Sequence, residues 1–222
     1  MHLNLVHLAV GKTLSSSAVF LFLTVLLLAA SRRVSTSIVL FALQSAIITA
    51  QVMATAYTEA STEAWVVAAL VFTLKVVTIP SALLWLVKRL KASRGIKPAI
   101  GSGAAVFVAA LMIFLSYLAV QPYARASRIP EDTLAAAVAL ILTGAFLMVS
   151  HRTALMQIVG LLVLENGIFL AALTTTFGMP LVIEIGVFFD LLMGILIMGV
   201  FAFRIRDTFE HLDVTRLRRL RG

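Results

Sequence analysis

The sequence predicts an all-α, polytopic membrane protein with seven transmembrane helices, its N-terminus outside and its C-terminus in the cytoplasm. Three observations carry this. First, of 222 residues 61% are hydrophobic and only 13% charged, whereas a soluble domain is roughly half apolar and about a quarter charged. Too much of any folded surface stays wet for a soluble chain of this length to hide that excess. Second, the apolar residues gather in runs near the ~20 residues needed to cross ~30 Å of hydrocarbon at ~1.5 Å per residue. Third, the basic residues concentrate between alternate runs, as membrane topology requires. An ordinary cytosolic enzyme and a disordered chain are excluded, and a chain without cysteine is no disulfide scaffold. The net charge of +8 belongs to loops in a chain of this kind, and nucleic acid is not expected as a partner.

The spans are read as 13–30, 34–57, 64–87, 98–120, 132–150, 154–176 and 181–204. Backbone inside lipid must satisfy its own hydrogen bonds, which makes each of them a helix. The first, with Ala18 to Ala30 ending in small residues, also has the outline of a signal peptide. Arg32 and Arg33 follow at once and favour retention on the cytoplasmic side. The second carries Gln44, Gln51 and Thr55 on one face, as glue between helices or as holders of water. The third contains Lys75, and then Pro80, whose missing N–H predicts a kink and a bare carbonyl at Val76. A polar loop, Lys88 to Pro98, separates it from the fourth. The loop Gln121 to Glu131, with Pro122 and Pro130, ends the fourth. The sixth contains Glu165, with Gly160 and Gly167 on a different face, where a neighbouring helix can come close. The seventh contains Glu184 near its outer end and Asp190 near its middle. The organisation expected is 1–97 for helices one to three, 98–131 for helix four and its loop, 132–204 for a three-helix module, and 205–222 for a basic tail.

Of the 18 Lys and Arg residues, 14 lie in loops one, three and five and in the tail, three lie opposite (Lys12, Arg125 and Arg128), and Lys75 lies within a span. That asymmetry fixes the orientation and supports an odd number of spans. The tail suits anionic lipid or a cytoplasmic partner.

Lys75, Glu165 and Asp190 each stand ~14–17 Å from a helix end at ~1.5 Å per residue, near the midplane. A charge there costs on the order of 2.5–3.5 kcal/mol on insertion scales. Such groups mark a proton path, with Glu184 as a second relay point or an interfacial residue. The plain alternative is a structural pair in which Lys75 neutralises a carboxylate and locks the bundle. Gly11-Lys12-Thr13 is no P-loop, because Val6 stands where its first glycine is required. His2, His7, His151 and His211 have neither haem nor metal spacing. No hydrolase triad is visible, and no active site of the chain's own is expected.

Residues 132–222 resemble the K-type small subunit of respiratory complex I and the C subunit of multisubunit cation/proton antiporters. The resemblance rests on Leu164-Glu165-Asn166-Gly167, on Asp190, on Leu212-Asp213-Val214 and on Arg221-Gly222. The second acid is Asp where the K subunit usually has Glu, one methylene shorter. The whole chain resembles the hydrogenase-4 component E family of formate-hydrogenlyase-type complexes. Thr73-Leu74-Lys75 with Pro80, Leu164-Glu165-Asn166-Gly167, and Val182-Ile183-Glu184-Ile185-Gly186 with Asp190 carry that likeness in order. It implies a membrane-arm subunit in a bacterial or archaeal cytoplasmic membrane. Its neighbours would be antiporter-like subunits, a quinone- or hydrogenase-proximal subunit, and lipids. Nickel-iron or iron–sulfur centres would reside on partner subunits, with no cofactor in this chain.

Overall fold

The computed structural model describes residues 17–59, 62–89, 100–127, 129–175 and 194. All regular structure among them is helical. Helix α1 is Ser17–Ala30, α2 is Val34–Glu59 and α3 is Thr62–Val71. A π-helical segment, Phe72–Thr78, joins α3 to α4, Ile79–Arg89. Then come α5, Ser102–Ser127, α6, Glu131–Ser150, and α7, Ala154–Thr175. Five helical stretches are long and apolar enough to cross a membrane, with the α3–α4 unit as one, and α1 is a shorter apolar helix. Of the seventh run only Gly194 is among the described residues, and Glu184 and Asp190 lie outside them.

Two boundaries differ from the sequence reading for reasons that concern proline. The fourth run does not end before Pro122: α5 continues through it to Ser127, and the connection to α6 shrinks accordingly. Proline inside a membrane helix is tolerated where neighbouring structure re-satisfies the backbone. In the third span, the expected kink at Val76 takes the form of a wide turn. The Ile79 N–H donates to Leu74 O, five residues back. In an α register the Pro80 ring would meet the carbonyl of Val76, and one extra residue in the turn relieves that clash. Hydroxyls serve the disturbed backbone. Thr78 Oγ1 donates to Thr73 O at 2.7 Å, and Ser81 Oγ donates to Thr78 O at 3.0 Å and also to Val77 O.

Helix α2 is the hub of the bundle, packing against α3, the π segment, α4 and α7. Helices α6 and α7 form an antiparallel hairpin held at backbone contact. A Cβ on Gly144 would stand 2.6 Å from Gly160 O, and one on Gly167 would stand 2.7 Å from Ala137 O. Such contact leaves no room for side chains and maximises van der Waals attraction where lipid supplies no hydrophobic drive. The glycine face predicted for the sixth run is therefore the α6 seam. Helix α5 lies against α6, where Tyr117 Oη donates to Asp132 Oδ1 at 3.0 Å. Arg32 Nε donates to Ser102 Oγ at 2.6 Å, which puts the α1–α2 turn and the start of α5 at one end of the bundle. At that end the Arg89 guanidinium lies 5.2 Å from the centre of the Trp85 ring, a cation–π contact suited to the membrane interface.

Candidate functional site: a buried ion pair in the bundle core

The site begins with the wide turn. It places Lys75 on the inner face of the third span, where the residue is 2% exposed and among the largest fully buried side chains. Thr73 and Thr78, in the same segment, face outward. Helix α7 brings Glu165 to meet it from eleven residues beyond Ala154, about 16 Å along the helix at ~1.5 Å per residue. Lys75 Nζ stands 3.1 Å from Glu165 Oε1, and both side chains are buried. The Phe169 ring, one turn after Glu165, lies with its centre 5.4 Å from the same ammonium. Carboxylate and aromatic face thus share one cation, and both come from α7.

The neighbouring residue fixes the azimuth of α7. Asn166 Nδ2 donates to Ser45 Oγ on α2 at 3.0 Å, and both residues are buried. With Asn166 tied to α2 and Gly160 and Gly167 pressed on α6, Glu165 is turned toward the π segment. Sequence reasoning singled out Glu165 and Lys75 but missed Ser45 and Phe169. Only the helix arrangement reveals these, since a serine or phenylalanine in an apolar run carries no local signal.

Of the residues marked in the sequence, the structure brings Lys75 and Glu165 together and sets Pro80 beside them as the cause of the wide turn. Gln51 Nε2 donates to Ser17 Oγ on α1, so Gln51 joins two helices. Thr55 Oγ1 donates to Gln51 O at 3.1 Å. Gln44 is fully buried, and neither end of its amide has a hydrogen-bond partner among the described residues. His151 caps the α6–α7 turn. Its Nδ1 lies 3.1 Å from Leu147 O and 3.1 Å from Ser150 Oγ. Burial pushes its pKa below the ordinary histidine value, with the Leu147 contact working the other way. Among the described residues, no three His, Cys, Asp or Glu side chains gather as metal ligands would.

Compared with known proteins, the chain is 30% identical over 156 residues to hydrogenase-4 component E of Escherichia coli, which spans 68% of this chain and 70% of that protein. This chain belongs to the hydrogenase-4 component E family. Component E of Shigella flexneri matches to the same extent. An uncharacterized protein of Mycobacterium tuberculosis is 30% identical over 131 residues, 59% of this chain and 60% of that protein, so the match spans less than two thirds of that relative. No protein-family model matches the chain, and no solved structure matches it. In this member of the component E family, the central chemistry is a paired acid and base in the core of a helical membrane bundle.

Proposed function

We propose that this chain is a membrane-arm subunit of a hydrogenase-4 or formate-hydrogenlyase-type complex, and that its midplane carboxylates form part of a proton path. The observation that carries the reading is the buried Lys75–Glu165 pair at 3.1 Å. Buried ionisable groups within a membrane are costly and mark function by default. In the full proposal seven helices span the membrane with the N-terminus outside, and residues 132–222 act as a K-subunit-like module. Asp190 and Glu184 continue the path from Glu165, and Lys75 is the counter-charge. Antiporter-like and hydrogenase- or quinone-proximal subunits flank the chain in a bacterial or archaeal cytoplasmic membrane. Redox centres stand on those partners; this chain has no cysteine to ligate them.

The energy scale is adequate. Moving one charge through 100 mV takes ~2.3 kcal/mol, which corresponds to about 1.7 pKa units at ~1.36 kcal/mol each. Buried carboxylates undergo shifts of that size when their charge partners move. The Lys75–Glu165 distance is the quantity that such a mechanism would modulate.

The test is Glu165→Gln in the assembled complex, with proton translocation compared with redox turnover. The path reading expects turnover to persist in part while translocation per electron falls severalfold. Unchanged coupling removes Glu165 from the path. A scaffold reading is favoured by one specific observation, the backbone contact at Gly144, Gly160 and Gly167. It expects Glu165→Gln to couple normally, and Gly160→Leu to prevent assembly. A subunit of a cation/proton antiporter would retain ion exchange when redox partners are removed.

A further inference from the structure

Helices α1 and α2 meet along a polar seam with a seven-residue period. Ser17 and Thr24 on α1 are followed at the same spacing by Ser31, just past its end, and Ser37, Gln44 and Gln51 recur on α2. The helices are antiparallel, so the two series run against each other as rungs. Gln51 Nε2 donates to Ser17 Oγ at one end. Ser37 Oγ donates to Ser31 Oγ at 3.1 Å at the other. The rung midway between them, about 10 Å from each at ~1.5 Å per residue, sets Gln44 opposite Thr24. Leu21, Leu28, Phe41 and Ile48, all buried, fill the layers between rungs.

The middle rung differs from the ends. Thr24 Oγ1 gives its proton to Leu21 O at 2.7 Å, which leaves its oxygen as an acceptor. Gln44 is 0% exposed, and both Nε2 and Oε1 are without hydrogen-bond partners among the described residues. An amide offers two donors and an acceptor with two lone pairs, and folded interiors rarely leave such a group unmet. By the register of the two end pairs, a donor on Gln44 and an acceptor on Thr24 face one another in an otherwise apolar layer, and a buried water takes two to four such partners.

We propose that Thr24 and Gln44 form a buried water-binding site at mid-depth between α1 and α2. The water accepts from Gln44 Nε2 and donates to Thr24 Oγ1, completing the rung that the two end pairs make directly. The site does not depend on proton transfer through Glu165. It lies on a different face of α2 from α7: Ser45, about 100° round the helix from Gln44 at 3.6 residues per turn, is the one that bonds Asn166.

The test is water-edited solid-state NMR on the full chain in lipid bilayers, with glutamine side chains labelled with nitrogen-15. The Gln44 resonance is assigned from its loss in Gln44→Leu. The expected result is transfer of magnetisation from water to the Gln44 amide severalfold faster than to the backbone amide of Ile48, a buried residue one turn away. Thr24→Val, which keeps the shape and removes the acceptor, should slow the Gln44 transfer severalfold. Transfer at Gln44 no faster than at Ile48 overturns the site, and so does fast transfer that Thr24→Val leaves unchanged. If Thr24→Val does not fold, the comparison within the native chain decides.

Discussion

At the scale of single residues, the energetics of the core turn on one ion pair. Lys75 and Glu165 are buried together, and removing one partner of a buried pair typically costs ~3–5 kcal/mol, because the other charge is stranded. Lys75→Met should therefore destabilise the chain by about that amount at neutral pH. The combined change Lys75→Met with Glu165→Gln should recover most of the loss, as unfolding of the full chain in micelles would measure. His151 gives a pH dependence of its own in the native chain. Its folded pKa is depressed by burial, so the unfolded state binds its proton more readily. The corresponding stability is present above the ordinary histidine value of 6.5 and is lost as pH falls through the lower folded value. His151→Gln, which cannot titrate, should flatten that acid limb of a stability–pH profile. If the limb is unchanged in His151→Gln, another group is responsible for it.

At the scale of elements, the third span and the α6–α7 hairpin show what was legible in the sequence and what was not. Each apolar run that falls among the described residues is a helix, because length and the lack of charge alone force that outcome in lipid. The glycine face of the sixth run was legible too, since Gly160 and Gly167 repeat at a helical spacing. Its partner Gly144 was not, because a lone glycine does not announce its register. The loop expected from Gln121 is helical through Pro122 to Ser127, and the kink expected at Pro80 takes the form of a wide turn, because proline fixes only what its own ring excludes. The packing around it decides whether the helix ends, bends or widens. That Lys75 pairs with a carboxylate was legible as one of two readings, but the choice of Glu165 was not, because the wide turn resets the azimuth of Lys75 relative to a regular helix. Pro80→Ala removes the clash that favours the wide register. It should let the segment close toward α geometry and turn Lys75 away from Glu165. The coupling energy of the pair, from a double-mutant cycle, should then fall in the Pro80→Ala background; an undiminished value would show that the turn does not position the lysine. At the hairpin, a methyl at Gly144 meets backbone atoms of α7 within 2.7 Å, and backbone cannot swing aside. Gly144→Ala should cost about 1–3 kcal/mol, the usual range for overpacking, and lower the melting temperature of the chain.

At the scale of the whole molecule, the remaining question is how the bundle sits across the membrane. Charge and geometry bear on it independently. The Arg32–Ser102 bond joins the α1–α2 turn to the start of α5, so loops one and three share an end of the bundle. These are loops that the charge count assigns to the cytoplasm: Arg32 and Arg33 in one, and Lys88, Arg89, Lys91, Arg94 and Lys97 in the other. Helix α5 then carries the chain to the opposite end, and its extension through Pro122 brings Arg125 there. The chain has no cysteine, so single cysteines report topology without background. Ala126→Cys, at the far end of α5, should react with a membrane-impermeant maleimide in intact cells. Ser93→Cys, in loop three, should react only after the membrane is opened. Thr215→Cys, in the basic tail, should behave like Ser93→Cys if a seventh helix follows α7. An even number of spans would instead place the tail outside with Ala126, and six arginines at its end of the chain would then lie against the positive-inside bias. Labelling of Thr215→Cys in intact cells would thus overturn both the seventh span and the relay through Asp190, since that residue would lose the helix that carries it to the depth of Glu165.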